Sequence, residues 1–462
     1  MTTTIDRREL PPNRAPGPAQ RFPGQGLLAF HRDPTGFLSG LAHTYGDVAQ
    51  FRLAGRPAFL LNHPDFIQQV LVSEQSNFRK GRALQRMRLL LGDGLLTSEG
   101  SAHAQARRLV QPAFHHERIA AYAGIMAEEA ARMGGEWQAG ATYDVAREMN
   151  FLTLRIVGRT LFGIDLSSQE SVIAEALDDL FALSDPLYLL LAPLLEWLPI
   201  PSARRSQAAQ AFFDQLIYGL IDARQKEGPG QGDMLDMLLA SVDEETGQPP
   251  DRQFIRDQAL TLLLAGHETT ANALAWCWHL LAAHPASAER LREELDRVLG
   301  DGRLPGLADL GHLPFTRSVL SESLRLYPPA WVIGRSAIND CTIGGYSVPA
   351  GSTILLSPWV TQRDRRYFAH ADEFRPERWL GKEPSNRPKF AFFPFGGGPR
   401  VCIGAQFAWT EGTLLLATLA QQWQLRPTDE RPVALAPRVT LRPKDGVWMK
   451  ASRRLGAVAG AR

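Results

Sequence analysis

Along most of the chain, apolar residues recur every three or four positions. The pattern runs over residues 103–110, about 118–138, 145–162, 203–225 and 251–284, and this spacing lines apolar side chains along one face of a helix. Pro64 and Asp65 open a further helix. Pro285 ends the longest one and seeds another over 288–299, in which Glu293, Glu294 and Arg297 stand at ion-pairing spacing. Elsewhere the pattern is that of strands. Residues 47–53 and 58–61 flank Ala54-Gly55-Arg56-Pro57 and read as a hairpin, and 337–356 carry Gly344-Gly345, Pro349 and Gly351 between β-branched runs. The fold class expected is mainly α with a minor β region.

No fixed-period repeat and no serine-glycine linker divides the chain, so one domain is expected over 21–462. Its β-rich part would be about 45–63 plus 337–357, and its helical body about 64–335 and 358–425. Residues 1–20 are polar and proline-rich and read as a flexible tail, without the apolar core of a signal peptide or a membrane span. The apolar run 186–199 is too short for a transmembrane helix and is broken by three prolines and Glu196. It reads as a buried or interfacial segment, with an entry route for an apolar substrate as the sharper alternative.

Composition narrows the function classes. Hydrophobic residues make up 44% and charged residues 21%, as in globular proteins. The net charge is +1, so nothing global points to nucleic acid or an anionic membrane. The three cysteines, Cys277, Cys341 and Cys402, form no C-x-x-C pair, which argues against a disulfide framework or a structural zinc site. A reducing, cytoplasmic setting is the simpler expectation.

Cys402 lies in Phe395-Gly-Gly-Gly-Pro-Arg-Val-Cys-Ile-Gly404. Three glycines and a proline cannot be helix interior, so they form a tight loop with free backbone N–H groups that can point at a thiolate. The apolar run after Cys402 starts a helix, whose N-terminus favours the anion. Gly404 leaves space for a flat macrocycle. The bland alternative is a small buried hydrophobe, the usual fate of a free cysteine. A nucleotide loop is excluded because position 401 is valine where G-x-G-x-x-G needs glycine.

The longest helix is interrupted by Ala265-Gly-His-Glu-Thr-Thr270. Glycine in a helix costs about 1 kcal/mol against alanine, and an unpaired buried carboxylate far more, so proton delivery explains the segment better than packing. Thr269 can bond the carbonyl one turn back, and Gly266 removes a side chain where a diatomic ligand and water could sit. A zinc-peptidase reading of His267-Glu268 fails because position 271 is alanine; His267 reads as a polar filler.

The pattern Phe395-x-x-Gly398-x-Arg400-x-Cys402-x-Gly404-x-x-x-Ala408 resembles the haem-binding signature of the cytochrome P-450 superfamily, bacterial type. The other segments match that family in order: His103-Ala-Gln-Ala-Arg107, Ala265 to Thr270, Glu322-Ser-Leu-Arg325 and Pro376-Glu-Arg-Trp379. The resemblance implies a single triangular-prism fold with haem b (iron protoporphyrin IX) between the long central helix and the cysteine-loop helix. It makes Cys402 the iron ligand, Phe395 its neighbour, and His103, Arg107, Arg335 and Arg400 contacts to the haem carboxylates. Gly404 and Ala265 would face the macrocycle. Glu268 and Thr269 become the acid–alcohol pair of proton delivery, and Glu322, Arg325 and Arg378 a buried structural cluster.

The implied activity is that of a monooxygenase, with O2, two electrons and two protons giving an oxygenated product and water. NAD(P)H would act indirectly, through a ferredoxin or flavodoxin and its reductase, since the chain after Cys402 has no room for a reductase domain. Arg107, Arg108 and Arg118 are candidates to meet an acidic carrier. Apolar residues Met87, Leu95, Leu264, Ala330, Val332 and Val439 suggest a hydrophobic substrate: a fatty acid, terpenoid, carotenoid or steroid-like compound. A haem-thiolate peroxygenase, isomerase or dehydratase, or a haem-based ligand-binding protein, would share Cys402 without needing a reductase.

Overall fold

The computed structural model describes residues 13–454 apart from 21, 23, 54, 182–200, 229, 231, 244–246, 301, 382–386 and 430. The apolar run 186–199 therefore lies outside the described residues. The site is framed by helices α1 (Gly100–Val110), α2 (His116–Glu136), α3 (Val145–Leu161), α4 (Arg252–Ala283), α5 (Pro314–Leu326) and α6 (Ala405–Gln422). The Asp251 carboxylate caps α4 by accepting from Phe254 N at 2.7 Å. At 32 residues, α4 is about 48 Å long and packs against α3, α5 and α6. Such a helix is apolar nearly all round, so its buried Arg256, Asp257, Gln258, His267, Glu268 and Asn272 must find partners inside the protein. Asp257 and Gln258 do so by accepting from Asp93 N at 2.7 Å and Leu95 N at 2.9 Å, which fastens the loop after Arg82–Leu91 onto α4.

The main sheet contains β1 (Val48–Leu53), β2 (Arg56–Leu61), β3 (Phe78–Lys80), β4 (Ile333–Ala337) and β5 (Thr353–Leu356), in the order β1-β2-β5-β4-β3. The β1–β2 hairpin is the expected one, with Val48 opposite Leu61. A second hairpin, Cys341–Ile343 with Tyr346–Val348, turns through Gly344 and Gly345 at φ 58° and 83°. A mainly α fold with a small β part results.

Several boundaries differ from those expected. β3 interrupts the stretch read as helix, and β4 begins before residue 337. Most of 358–404 is turns and short 3-10 segments rather than helical body. Past α6 the chain forms strands Trp423–Pro427 and Trp448–Arg453, joined by Thr142–Asp144, and a hairpin of Leu435–Pro437 with Leu441–Pro443. Short strands such as these are selected by their partners, not by their own periodicity. Residues 14–20, expected to be flexible, lie along β1: Gln50 N donates to Pro16 O at 2.7 Å and Ala15 is buried. Nor is Glu294 a surface ion-pair residue. It is buried and caps α5, accepting from Phe315 N at 2.7 Å and from Thr316 N and Oγ1 at 2.8 Å, at the positive end of that helix dipole.

Candidate active site

The cysteine loop is held by its own backbone. Cys402 N donates to Phe395 O at 3.0 Å, Gly396 N to Phe393 O at 2.9 Å, and Val401 N to Gly398 O at 3.0 Å. Gly398 has φ 67°, and a Cβ there would lie 1.8 Å from Leu71 O, so only glycine fits. At Gly404 the nearest atom to an added Cβ is in the Phe114 ring at 3.6 Å, so the protein's own packing leaves that face clear. Gly404 caps α6, and Cys402 precedes the helix. Burial pushes the Cys402 thiol above its ordinary pKa, outweighing the Gly404 N–H and the Arg107 charge, which favour the thiolate. Burial thus opposes the expected helix-end activation, and a cation on the open side would favour the anion.

Cys402 is exposed although protein surrounds it almost completely; it borders internal space. Ala265 shows the same signature, exposed in the middle of α4 between buried Leu264 and buried His267. Thr269, one turn on, donates its Oγ1 to Ala265 O at 2.8 Å. Phe395 packs with Ala273 of α4 and with Leu320 and Leu324 of α5, so the cysteine loop abuts the same helix. Gly266 departs from expectation, because a Cβ there would meet Val157 Cγ2 at 3.1 Å. It permits the close approach of α3 and α4 rather than making room for a ligand. His267 is buried, with Nδ1 2.9 Å from Leu263 O, in keeping with a filler.

Glu268 is not the unpaired carboxylate that the sequence suggested. Its Oε1 accepts from Arg442 Nε at 2.7 Å and from Thr440 Oγ1. Burial raises its pKa, but the Arg442 charge and hydrogen bond, with Thr440, bring it below the ordinary value. The partner residues lie far along the chain, where helix periodicity carries no signal.

Cationic groups converge beside the loop. Arg107 Nη1 donates to Val401 O at 2.8 Å. Arg400 donates to Phe78 O at 2.8 Å and to Glu99 Oε2 at 2.6 Å, a protein partner where a haem carboxylate was expected. Lys80, overlooked in the sequence, donates Nζ to Leu95 O at 2.8 Å and Ser98 O at 2.6 Å, and its N–H to Glu99. Burial and the nearby Arg400 and Arg335 lower Lys80 to about 7, against the Glu99 charge. His103 falls to about 4 by burial and the charges of Lys80, Arg400, Arg107 and Arg335. Burial and Arg400 lower Arg335 to about 10. Lys80, Arg335 and Arg400 share the Glu99 carboxylate and repel one another, an arrangement suited to an anion.

Glu322, Arg325 and Arg378 meet as expected. Arg325 grips both Glu322 oxygens at 2.9 and 2.8 Å, and Arg378 Nε reaches Oε1 at 2.9 Å. The sequence did not reveal Trp379, whose Nε1 donates to Glu322 Oε2 at 2.9 Å, or Arg375 N at 3.0 Å. It also missed Gln362, which donates to the Leu324 and Arg325 carbonyls and accepts from Phe393 N at 3.1 Å, joining α5 to the chain just before the cysteine loop.

The sequence matches the cytochrome P450 family model over residues 16–449. The chain belongs to the cytochrome P450 family. It is 40% identical over 90% of its length to cyclooctatin synthase of Streptomyces melanosporofaciens, covering 90% of that protein. It is 40% identical over 87% of each chain to cyclooctat-9-en-7-ol 5-monooxygenase of the same organism. Pentalenene oxygenase of Streptomyces avermitilis is 36% identical over 88% of this chain and 90% of that one. This P450 is accordingly a haem-dependent monooxygenase, an oxidoreductase acting on a hydrophobic substrate with a redox partner, and the family's cofactor is a haem held by a thiolate.

The residues present fit that group. A buried sulfur whose anion a cation would favour, clear space beside Gly404, interior-facing Ala265 and a cluster of buried cations suit iron, a flat ring and two carboxylates. Of the pocket candidates in this P450, Met87, Leu264 and Val439 join one apolar cluster, whereas Val332 belongs to another on the sheet side. Leu95 is buried and Ala330 half-buried. Among the described residues no helix is long and apolar enough to cross a membrane, and no group of three or more His, Cys, Asp or Glu is arranged to hold a metal ion.

Proposed function

We propose that Cys402 ligates the haem iron and that this P450 oxygenates a compact polycyclic terpenoid, with electrons passed from NAD(P)H by a reductase and a ferredoxin or flavodoxin. When bound, haem supplies O2 activation and oxygen insertion. The protein's part is to bind, orient and deliver protons. His103, Arg107 and Arg335, with Lys80 and the Arg400–Glu99 pair, receive the haem carboxylates. Phe395 and Gly404 shape the loop side and Ala265 the α4 side. Thr269 holds a proton at Oγ1 beside the reacting centre, and Glu268 replenishes it. Met87, Leu264 and Val439 exclude water around the substrate, with Leu95, Ala330 and Val332 at its margins. Arg107, Arg108 and Arg118 face the electron carrier. The reading keeps the enzyme in the cytoplasm, where its three free cysteines stay reduced.

The terpenoid substrate is supported by the names of the relatives, which refer to cyclooctatin, cyclooctat-9-en-7-ol and pentalenene, together with the apolar cluster. The observation that carries the site is the interior exposure of Cys402, in a loop whose Phe395 packs on the helix that exposes Ala265. Reduced protein under carbon monoxide tests it. The wild type is expected to show the red-shifted Soret band of thiolate ligation, and Cys402→Ala to lack it; a variant that keeps the band refutes the assignment.

A further inference from the structure

Among the described residues, Glu99 is the acid that acts on the cations beside the cysteine loop. Its charge favours the Lys80 ammonium and the Arg335 guanidinium, whereas the other charges acting on these two groups are all cationic. The charges acting on His103 are cationic throughout. Glu99 immediately precedes α1. One of its oxygens accepts from the backbone N–H of Lys80 on β3, the other from Arg400 Nη2 at 2.6 Å. The Glu99 and Arg400 side chains are 30% and 16% exposed, so water screens the pair only in part. Arg335, buried on β4, donates at 3.0 Å to the carbonyl of the adjacent Gly334 and makes no other side-chain hydrogen bond among the described residues. Three cations thus draw on one carboxylate, and most of the five Arg335 donors lack an acceptor there.

A carboxylate in such a place has two effects. It stabilises cations that would otherwise repel one another, and it opposes any further anion, by like charge and by holding the same donors. We propose that Glu99 competes with the haem carboxylates for Arg400 and for the charge of Lys80 and Arg335, and so limits how tightly haem is held and holds down the potential at which its iron is reduced. Reduction adds one negative charge to the centre, which a nearby anion disfavours. The inference rests on the reading that these cations receive the haem carboxylates. It makes Glu99 a positioning residue, acting through Arg400 and Lys80. A plain brace between β3, the start of α1 and the cysteine loop would use the same two hydrogen bonds, but its effect has the opposite sign: losing a brace releases haem. In the holoenzyme the haem carboxylates favour the Lys80 ammonium as Glu99 does, so that cation persists when Glu99 is neutralised.

Glu99→Gln removes the charge and keeps an oxygen that can accept from the Lys80 N–H. Transfer of haem from the purified holoenzyme to excess apomyoglobin is expected to slow about threefold. The one-electron reduction potential is expected to rise by about 28 mV, the equivalent of threefold at about 59 mV per factor of ten. Glu99→Asp, which keeps the charge, is expected to stay nearer the wild type in both. Haem loss from Glu99→Gln that is unchanged or faster, or an unmoved potential, overturns the proposal. So does a Glu99→Gln protein that accumulates without haem, or fails to accumulate, where Glu99→Asp is fully loaded, because that is the behaviour of a brace. Arg335→Gln tests the reading beneath the proposal: its haem loss is expected to quicken, and an unchanged rate means that the cluster does not receive the haem carboxylates, whatever Glu99→Gln does.

Discussion

At the scale of single residues, the contrast between two buried glutamates is instructive. Glu268 has a cation and stays acidic; Glu411, on α6, has none among the described residues. Burial pushes Glu411 up to about 8, opposed only by the nearby Thr270 hydroxyl, and neither oxygen makes a hydrogen bond of good geometry. The folded state therefore holds this proton more tightly than the unfolded chain does. Its contribution to stability is full below pH 4.5, the ordinary value, and is lost as pH rises toward 8. Glu411→Gln cannot ionise, so its Tm is expected to gain on the wild type between about pH 5 and 8, by up to about 4 kcal/mol in stability. Parallel Tm profiles of the two proteins would refute this.

Thr269 belongs to the same scale. Its hydroxyl donates to Ala265 O, which leaves the oxygen lone pairs free to accept. Thr269→Ala removes the oxygen proposed to hold the proton. NADPH consumption is expected to continue while product per NADPH falls and hydrogen peroxide rises, by about tenfold if the hydroxyl contributes about 1.4 kcal/mol to the productive step. An unchanged product yield would count against its role.

At the scale of elements, the cysteine loop is positioned by structures that are not regular elements. Arg325 donates to the Gln362, Ala371 and Glu373 carbonyls at 2.9, 2.6 and 3.0 Å, and Arg378 to Ala369 O at 2.9 Å. Side-chain donors thus satisfy the irregular 362–378 backbone in place of a helix or sheet ladder. Glu322 is the carboxylate that both arginines share, and its loss leaves two buried cations without it. Breaking such a pair costs about 3–5 kcal/mol, so Glu322→Ala is expected to lose haem or fail to accumulate. Haem content per purified protein measures this; a fully loaded variant with wild-type Tm would contradict it.

At the scale of the molecule, a net charge of +1 provides no general attraction for an acidic carrier, so the proposed docking at Arg107, Arg108 and Arg118 requires local steering. Over about 8 Å of screening at physiological salt, such a patch acts only at close range. Reduction of the enzyme by an acidic ferredoxin is expected to slow severalfold as salt is raised, and Arg108→Glu to slow it further at low salt with little change in substrate affinity. Stopped-flow reduction under carbon monoxide gives the rate; a salt-independent rate would place the docking surface elsewhere.

The sequence by itself determined the long helices, the β1–β2 hairpin, the cysteine loop and the Glu322 and Arg325 pair. Each is written in local spacing: an apolar face every three or four residues, glycines where only positive φ is allowed, or two charges one helical turn apart. Tertiary structure alone decided that Glu268 is paired, that Glu294 caps a neighbouring helix, that Gly266 serves helix packing, and that Lys80 and Glu99 join the cation cluster. It also decided the strands after α6. These depend on groups brought together from distant parts of the chain: Arg442 is 174 residues from Glu268, and Glu99 is 301 from Arg400. No local pattern encodes such a meeting. It arises when buried polar groups must each find a partner once water has been removed.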